Sequence, residues 1–381
     1  MQHPPLSLYI HIPWCAQKCP YCDFNSHAVK QGIPEQEYVQ ALTLDLQTDA
    51  HLAASRPLQS IFFGGGTPSI FSAASIAAIL KQVKNNFSLT DDCEITLEAN
   101  PGTLDNQKLS AFAEAGINRF SIGVQSFQAA KLNKLGRIHN PQQAIAAAQT
   151  AAKLTIKSFN LDLMHGLPEQ NMQDALADLQ QAIDLQAPHI SWYQLTIEPN
   201  TLFASQPPKL PQDEVLADIQ QAGQALLAAN GYHQYEVSAY SKKGYQSQHN
   251  LNYWRFGDYL AVGCGAHGKI TQPEQERILR YEKIKHPKGY LAADNFVYKS
   301  HSVAIEDRAF EYFMNRFRLL EACPVDEFTR LTGLPFTQVE SQIDTALSRD
   351  LLTLRLKNNS QYLQVTERGQ RYLNDLLALF I

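Results

Sequence analysis

Three cysteines stand within eight positions in "HIPWCAQKCPYCDFNSH", residues 11–27, of a chain whose other three, Cys93, Cys264 and Cys323, are scattered. Cys15, Cys19 and Cys22 follow the spacing C-x3-C-x2-C, which is neither the paired C-x2-C of a structural zinc site nor the spacing of a redox dithiol. Thiolates are the usual ligands of iron–sulfur clusters. Three on one loop can take three corners of a four-iron cluster and leave the fourth iron open to an outside ligand. Pro20 breaks any helix between the second and third thiols, so the loop can wrap a compact object. The competing chemistry is a Cys3His zinc site completed by His11 or His27. A second feature is "FFGGGTPS", residues 62–69, where three glycines at a strand end let the backbone approach a ligand and expose N–H groups; such turns also serve packing alone.

These residues must be positioned by the elements around them. The first half of the chain repeats one unit, a short strand-like run followed by a turn and a helical stretch. Strands are expected at 6–13, 60–66, 94–100, 119–126, 158–168 and 189–197, with helices near 35–54, 72–86, 105–115, 141–153 and 171–186. Alternation of this kind implies parallel strands covered by helices. Parity then chooses between an open sheet and a barrel. Leu6, Leu8, Ile10 and Ile12 share one face of the first strand, with Ser7, Tyr9 and His11 on the other; Glu94, Thr96, Glu98 and Asn100 oppose Ile95, Leu97 and Ala99 in the third. A parallel sheet buried on both faces reads as apolar throughout, whereas here one face is repeatedly polar. The pattern predicts an α/β fold: a curved, incompletely closed barrel whose polar side lines a ligand cavity at the carboxyl ends of the strands. Glu98, Gln125 and Asp162 fall near those ends on the cavity parity. They can hold ribose hydroxyls or an amine, or serve as barrel-lining hydrogen bonds. Arg137, in "KLGRIHN", can pair with a ligand carboxylate or stand as a solvated loop charge.

The pattern changes after about residue 205, giving expected units at 1–205, 206–300 and 301–381. The middle unit is aromatic and glycine-rich. The last, a smaller mixed α+β unit, reads as a helix, a two-stranded wing and a closing helix, an outline shared with winged-helix modules but with few basic residues on the recognition stretch. With 44% hydrophobic and 18% charged residues and a net charge of -5, the chain reads as a soluble, cytoplasmic globular protein, and neither nucleic acid nor an anionic membrane is an expected partner.

The cysteine loop after the first strand resembles that of the radical S-adenosylmethionine (radical SAM) superfamily, built on a partial (β/α)6 barrel. "YIHIPWC", "CPYCDF", "FGGGTPS", "GVQSF", "LGRIH" and "NLDLMHGLP", in this order, narrow the resemblance to oxygen-independent coproporphyrinogen III oxidase and its relatives. That resemblance implies a [4Fe-4S] cluster on Cys15, Cys19 and Cys22. It also implies S-adenosylmethionine contacts from Tyr9, Gly65, Gly66, Thr67, Glu98, Gln125, Arg137 and Asp162. Two departures bear on the branch. The oxidase carries a further cysteine two places after the third, where this chain has Phe24. "HNLNYW", residues 249–254, is similar to the H-N-x-x-Y-W motif of the HemW heme chaperones. This branch implies heme as a ligand, His249 as a heme contact and heme-requiring proteins, respiratory enzymes among them, as partners. It is compatible with peripheral membrane association through those partners and with a homodimer. On chemistry alone His249 is an imidazole ligand beside flat aromatic surfaces or a hydrogen-bonded structural residue. Cys264 and His267 in "GCGAHG" form a second heme contact or a tight glycine turn. The alternatives to a chaperone are the decarboxylating oxidase itself and a zinc-bearing regulator with a winged C-terminal unit.

Overall fold

A computed structural model describes residues 1–29 and 32–381. The six expected strands form at Leu6–Ile12 (β1), Leu58–Gly65 (β2), Leu89–Ala99 (β3), Arg119–Gln125 (β4), Ser158–His165 (β5) and His189–Gln194 (β6). They lie side by side in chain order and all run parallel. The apolar parity faces outward onto the helices Glu35–Asp49 (α1), Ala73–Asn86 (α2), Asn106–Glu114 (α3), Pro141–Ala151 (α4) and Met172–Asp184 (α5). Leu6, Leu8, Ile10, Ile61, Phe63, Leu97, Phe120, Ile122 and Leu161 are buried in that shell. Side-chain caps set the helix starts. Ser72 and Asp105 cap α2 and α3, while Asn140 and Asn171 each close a capping box, with Gln143 and Asp174.

The chain beyond residue 205 extends this sheet. After helix Asp213–Ala229 (α6) and the strand His233–Glu236 (β7), Ala239–Ser241 (β8) adds antiparallel to β6, and β7 pairs antiparallel to the outer side of β8. Helix Gln248–Trp254 (α7) follows. Asp258–Val262 (β9) then pairs parallel to the free side of β1, and His267–Gln272 (β10), Arg277–Lys283 (β11) and Val297–Ser302 (β12) continue outward as antiparallel neighbours. The twelve strands thus run β12-β11-β10-β9-β1-β2-β3-β4-β5-β6-β8-β7, and among the described residues the two ends do not pair, so the barrel is open.

A second apolar core, including Phe256, Tyr312, Phe313, Phe328 and Leu363, belongs mainly to the C-terminal part. There helices Arg308–Arg316 (α8), Val325–Thr332 (α9) and Glu340–Ser348 (α10) surround a small sheet of Cys323–Pro324 (β13), Leu352–Lys357 (β14) and Ser360–Val365 (β15). The expected wing is the β14–β15 hairpin. Its turn residues Asn358 and Asn359 both have positive φ, 51° and 60°, the backbone of a two-residue turn whose twist matches the flanking strands. Among the described residues no helix is long and apolar enough to cross a membrane.

Candidate functional site: a cysteine-lined cavity at the carboxyl end of the barrel

The strand ends and the cysteine loop enclose an open cavity of about 320 Å³. Its lining brings together Cys15, Cys19, Cys22, Gly65, Gly66, Thr67, Glu98, Gln125, Arg137 and Asp162, ten of the twelve residues singled out in the sequence. The glycine loop supports the cysteine loop directly. Gly66 N–H donates to Ile12 O at 2.8 Å and Thr67 N–H to Trp14 O at 2.7 Å. An added Cβ on Gly66 would stand 2.5 Å from Trp14 O, and one on Gly65, at φ +118°, 2.7 Å from the His11 ring. These glycines are therefore required first for approach to the protein's own backbone and ring. Trp14 is in turn wedged edge-on against Tyr38, ring centroids 4.8 Å apart.

The three thiols are free, and burial raises Cys15 and Cys22 above the ordinary thiol value. A metal must therefore displace their protons on binding. Neither imidazole that would complete a zinc site turns toward them. His11 is held by Tyr9 Oη on Nδ1 at 3.0 Å and by Asn25 O on Nε2 at 2.8 Å, and His27 Nε2 lies 3.3 Å from Lys285 O. Among the described residues no three His, Cys, Asp or Glu side chains converge on a single ion. Three thiols around one cavity, with both candidate imidazoles engaged elsewhere, fit a cluster with one open corner better than mononuclear zinc.

The carboxylates face the thiols from the strand ends. Glu98 Oε2 accepts the Gly65 N–H at 3.2 Å, and burial, reinforced by Asp162, pushes its pKa up to about 8 against that hydrogen bond. Burial also raises Asp162, although Ser121 Oγ and Asn160 Nδ2 donate to it at 2.9 and 2.8 Å. Gln125 holds a positive φ of 66° and accepts from Tyr193 Oη at 2.9 Å. A non-glycine residue in that region at a cavity wall is strain held in place by its surroundings. Arg137 reaches in from the turn after the short helix Ala129–Lys134 that follows β4, with Nη2 donating to Gly123 O at 2.6 Å. Tyr193, Ser121 and Tyr21, which were not singled out there, also line the cavity, as does Phe24. Tyr193 shares the cavity parity with His189 and Ser191, so the alternation that selected Glu98 and Asp162 also selects it.

Tyr9 and His249 lie elsewhere. Tyr9 fills the space beside Gly64, stacks on Phe62 at 6.3 Å and bonds His11, below the cavity lining. His249 is at the opposite mouth of the barrel. Its Nδ1 is 3.0 Å from Ser60 Oγ and its ring 4.9 Å from Phe62. Ser60 is five residues before Gly65 on β2, roughly 16 Å at 3.3 Å per residue. Glu94 fixes α7 there by accepting the Gln248 and His249 N–H groups at 3.1 Å each. Burial, with Arg119 nearby, lowers the His249 pKa to about 3, so the imidazole is neutral and competent as a metal ligand. A buried polar series connects the two mouths. It runs from Asp162 to Asn160, on to His189 Nδ1 at 2.6 Å, to Tyr235 Oη at 2.8 Å and to the N–H of Ser247, the residue that caps α7. In "GCGAHG", Gly263 and Gly265 both have positive φ and the Cys264 thiol is buried, bonded to Lys285 O at 3.2 Å, so the stretch is a tight turn; His267 is exposed.

The radical SAM superfamily model matches residues 9–182, and the HemN C-terminal domain model matches residues 304–372. "Heme chaperone HemW" of Haemophilus influenzae is 57% identical over 382 residues, covering 99% of this chain and 98% of that protein. The protein of the same name from Escherichia coli is 55% identical, again over 99% and 98%. Among solved structures, coproporphyrinogen III oxidase (HemN) from Escherichia coli, described as a radical SAM enzyme, superposes with a TM-score of 0.82 at 22% identity, covering 99% of this chain and 90% of that one. At that identity the likeness speaks for the fold.

Proposed function

This chain belongs to the HemW heme chaperones of the radical SAM superfamily, and from that premise we propose that it carries a [4Fe-4S] cluster, binds S-adenosylmethionine beside it, binds heme, and delivers heme to heme-requiring proteins. The observation that carries the cluster assignment is the convergence of Cys15, Cys19 and Cys22 on one cavity with neither His11 nor His27 turned toward them. When bound, the cluster supplies an open iron and an electron. The chain's own part is to hold the ligand against it. With the N–H groups of Gly65, Gly66 and Thr67 engaged by Glu98, Ile12 and Trp14, this loop offers backbone carbonyls and the Thr67 hydroxyl, and Glu98, Gln125 and Asp162 offer acceptors for an amine or ribose hydroxyls. Tyr9 supports this wall from below by packing on Gly64. The heme contact is proposed at His249, whose neutral ring is held at Nδ1 by Ser60; in the tautomer in which Nδ1 donates to Ser60 Oγ, the Nε2 lone pair serves the iron.

The experiment is anaerobic reconstitution of the full chain, with iron, sulfide and heme measured on the same preparations as coproporphyrinogen III turnover. The expected outcome is about four irons per chain, heme binding near one per chain and no turnover, since Phe24 replaces the oxidase's further cysteine. Replacing Cys15, Cys19 or Cys22 with Ala removes the iron. His249→Ala changes the Soret band and leaves the iron, because its site is at the other mouth of the barrel. Stoichiometric zinc without iron would refute the cluster, an unchanged Soret band would remove His249 from the heme, and robust turnover would favour the oxidase.

A further inference from the structure

The turn after the short helix Ala129–Lys134, which follows β4, clamps the cysteine loop. Gly136, at φ +65°, lies against Pro20, whose Cδ would be 2.9 Å from an added Cβ, and Gln17 Nε2 donates to Gly136 O at 3.2 Å. Arg137 continues from that turn into the cavity. With Nη2 donating to Gly123 O at 2.6 Å, its Nη1 comes within 3.6 Å of Cys19 Sγ and 3.5 Å of Tyr21 Oη. A guanidinium is planar and its donors form a rigid fork, so fixing one arm on a backbone carbonyl also fixes the direction of the other. Arg137 Nε is buried without a partner, and nothing on that atom draws the fork away from the sulfur.

We propose that Arg137 is a positioning residue for the cluster, donating an N–H···S hydrogen bond to the Cys19 thiolate and raising the reduction potential of the metal centre. This gives the guanidinium a role toward a cluster ligand in addition to the small-molecule contact that the resemblance implies for it, and it rests on the reading that the three thiolates hold a [4Fe-4S] cluster. The physical ground is charge. One-electron reduction adds a negative charge that is spread over iron and sulfur, and a fixed cation with an N–H directed at one sulfur stabilises the reduced form more than the oxidised form. The clamp at Gly136 and Pro20 keeps donor and sulfur in register, since both belong to the same packed unit.

The test uses full-length wild type, Arg137→Gln and Arg137→Lys, all reconstituted anaerobically. Iron and sulfide are counted, and the midpoint potential is read by dithionite titration followed by electron paramagnetic resonance. The expected result is an unchanged iron count and a negative shift in midpoint potential, larger in Arg137→Gln, which loses both charge and fork, than in Arg137→Lys, which keeps the charge. Intact clusters with an unshifted potential in both variants would overturn the proposal. Loss of the cluster from both would overturn it as well, because a residue that tunes a ligand is dispensable for assembly. Wild type that takes up no iron would instead refute the cluster reading on which the proposal stands.

Discussion

Replacing Glu98 with Gln isolates the cost of keeping a carboxyl group inside the barrel. Burial and the neighbouring Asp162 hold Glu98 near pKa 8 in the folded chain, against an ordinary value of 4.5. The folded state therefore binds more protons than the unfolded state across this interval, and stability falls as pH rises from 4.5 through 8. At 1.36 kcal/mol per pKa unit, the full effect is about 5 kcal/mol; roughly 3 kcal/mol of it has accrued by pH 7, and about 1 kcal/mol more is lost between pH 7 and 9. The amide in Glu98→Gln would keep an oxygen to accept the Gly65 N–H while removing the titration. Urea unfolding of cluster-free wild type and Glu98→Gln at pH 7 and 9 reads the difference directly. The wild type should lose about 1 kcal/mol more than the variant over that step. An equal loss in both proteins would show that Glu98 is already ionised at pH 7 and that the buried-carboxyl reasoning is wrong.

The same titration reaches the ligand: a cationic molecule in the cavity favours ionised Glu98, so S-adenosylmethionine affinity of the cluster-loaded wild type should tighten, by up to roughly tenfold, from pH 7 to 9 relative to Glu98→Gln; calorimetry that finds parallel pH profiles would contradict this. Gly66→Ala places a Cβ against the Trp14 carbonyl, a backbone atom that cannot swing away. It should cost about 1–3 kcal/mol and lower the iron content, and normal melting with full iron would refute the close-approach argument. Glu94→Gln weakens the cap on α7 and leaves Arg119, 3.8 Å from the carboxylate, without its counter-charge inside the barrel. A loss of roughly 3 kcal/mol is expected, together with a heme spectrum altered in the manner of His249→Ala; unchanged unfolding would show that the Glu94 contacts carry no weight.

Alternation of polar and apolar residues identified the barrel because a β-strand has a period of two and this cavity is polar along its whole length. Parity reports which face a residue occupies; it carries no information about depth. Glu98 and Glu94 share a face of β3, yet one lines the cavity beside the thiols and the other caps α7 at the far mouth. Tyr9 lies on the correct face and one level too deep, its place set by the missing side chain of Gly64. The last four strands of the sheet escaped notice because β9 pairs with β1 across most of the chain, Leu6 opposite Asp258, and no local pattern encodes that partner. Helix α6 had a local signal in buried Ile219, Gly223 and Leu227, four residues apart, which the aromatic and glycine-rich composition of the middle unit does not report; Gly223 is where the Trp192 ring packs against the helix. The position of His249 depends on contacts with Ser60 and Glu94, both remote in sequence. A buried polar interior is costly unless its groups are paired. In this barrel the pairing runs from Asp162 through Asn160, His189 and Tyr235 to Ser247, so the residues that satisfy the cavity carboxylate also seat the helix bearing His249.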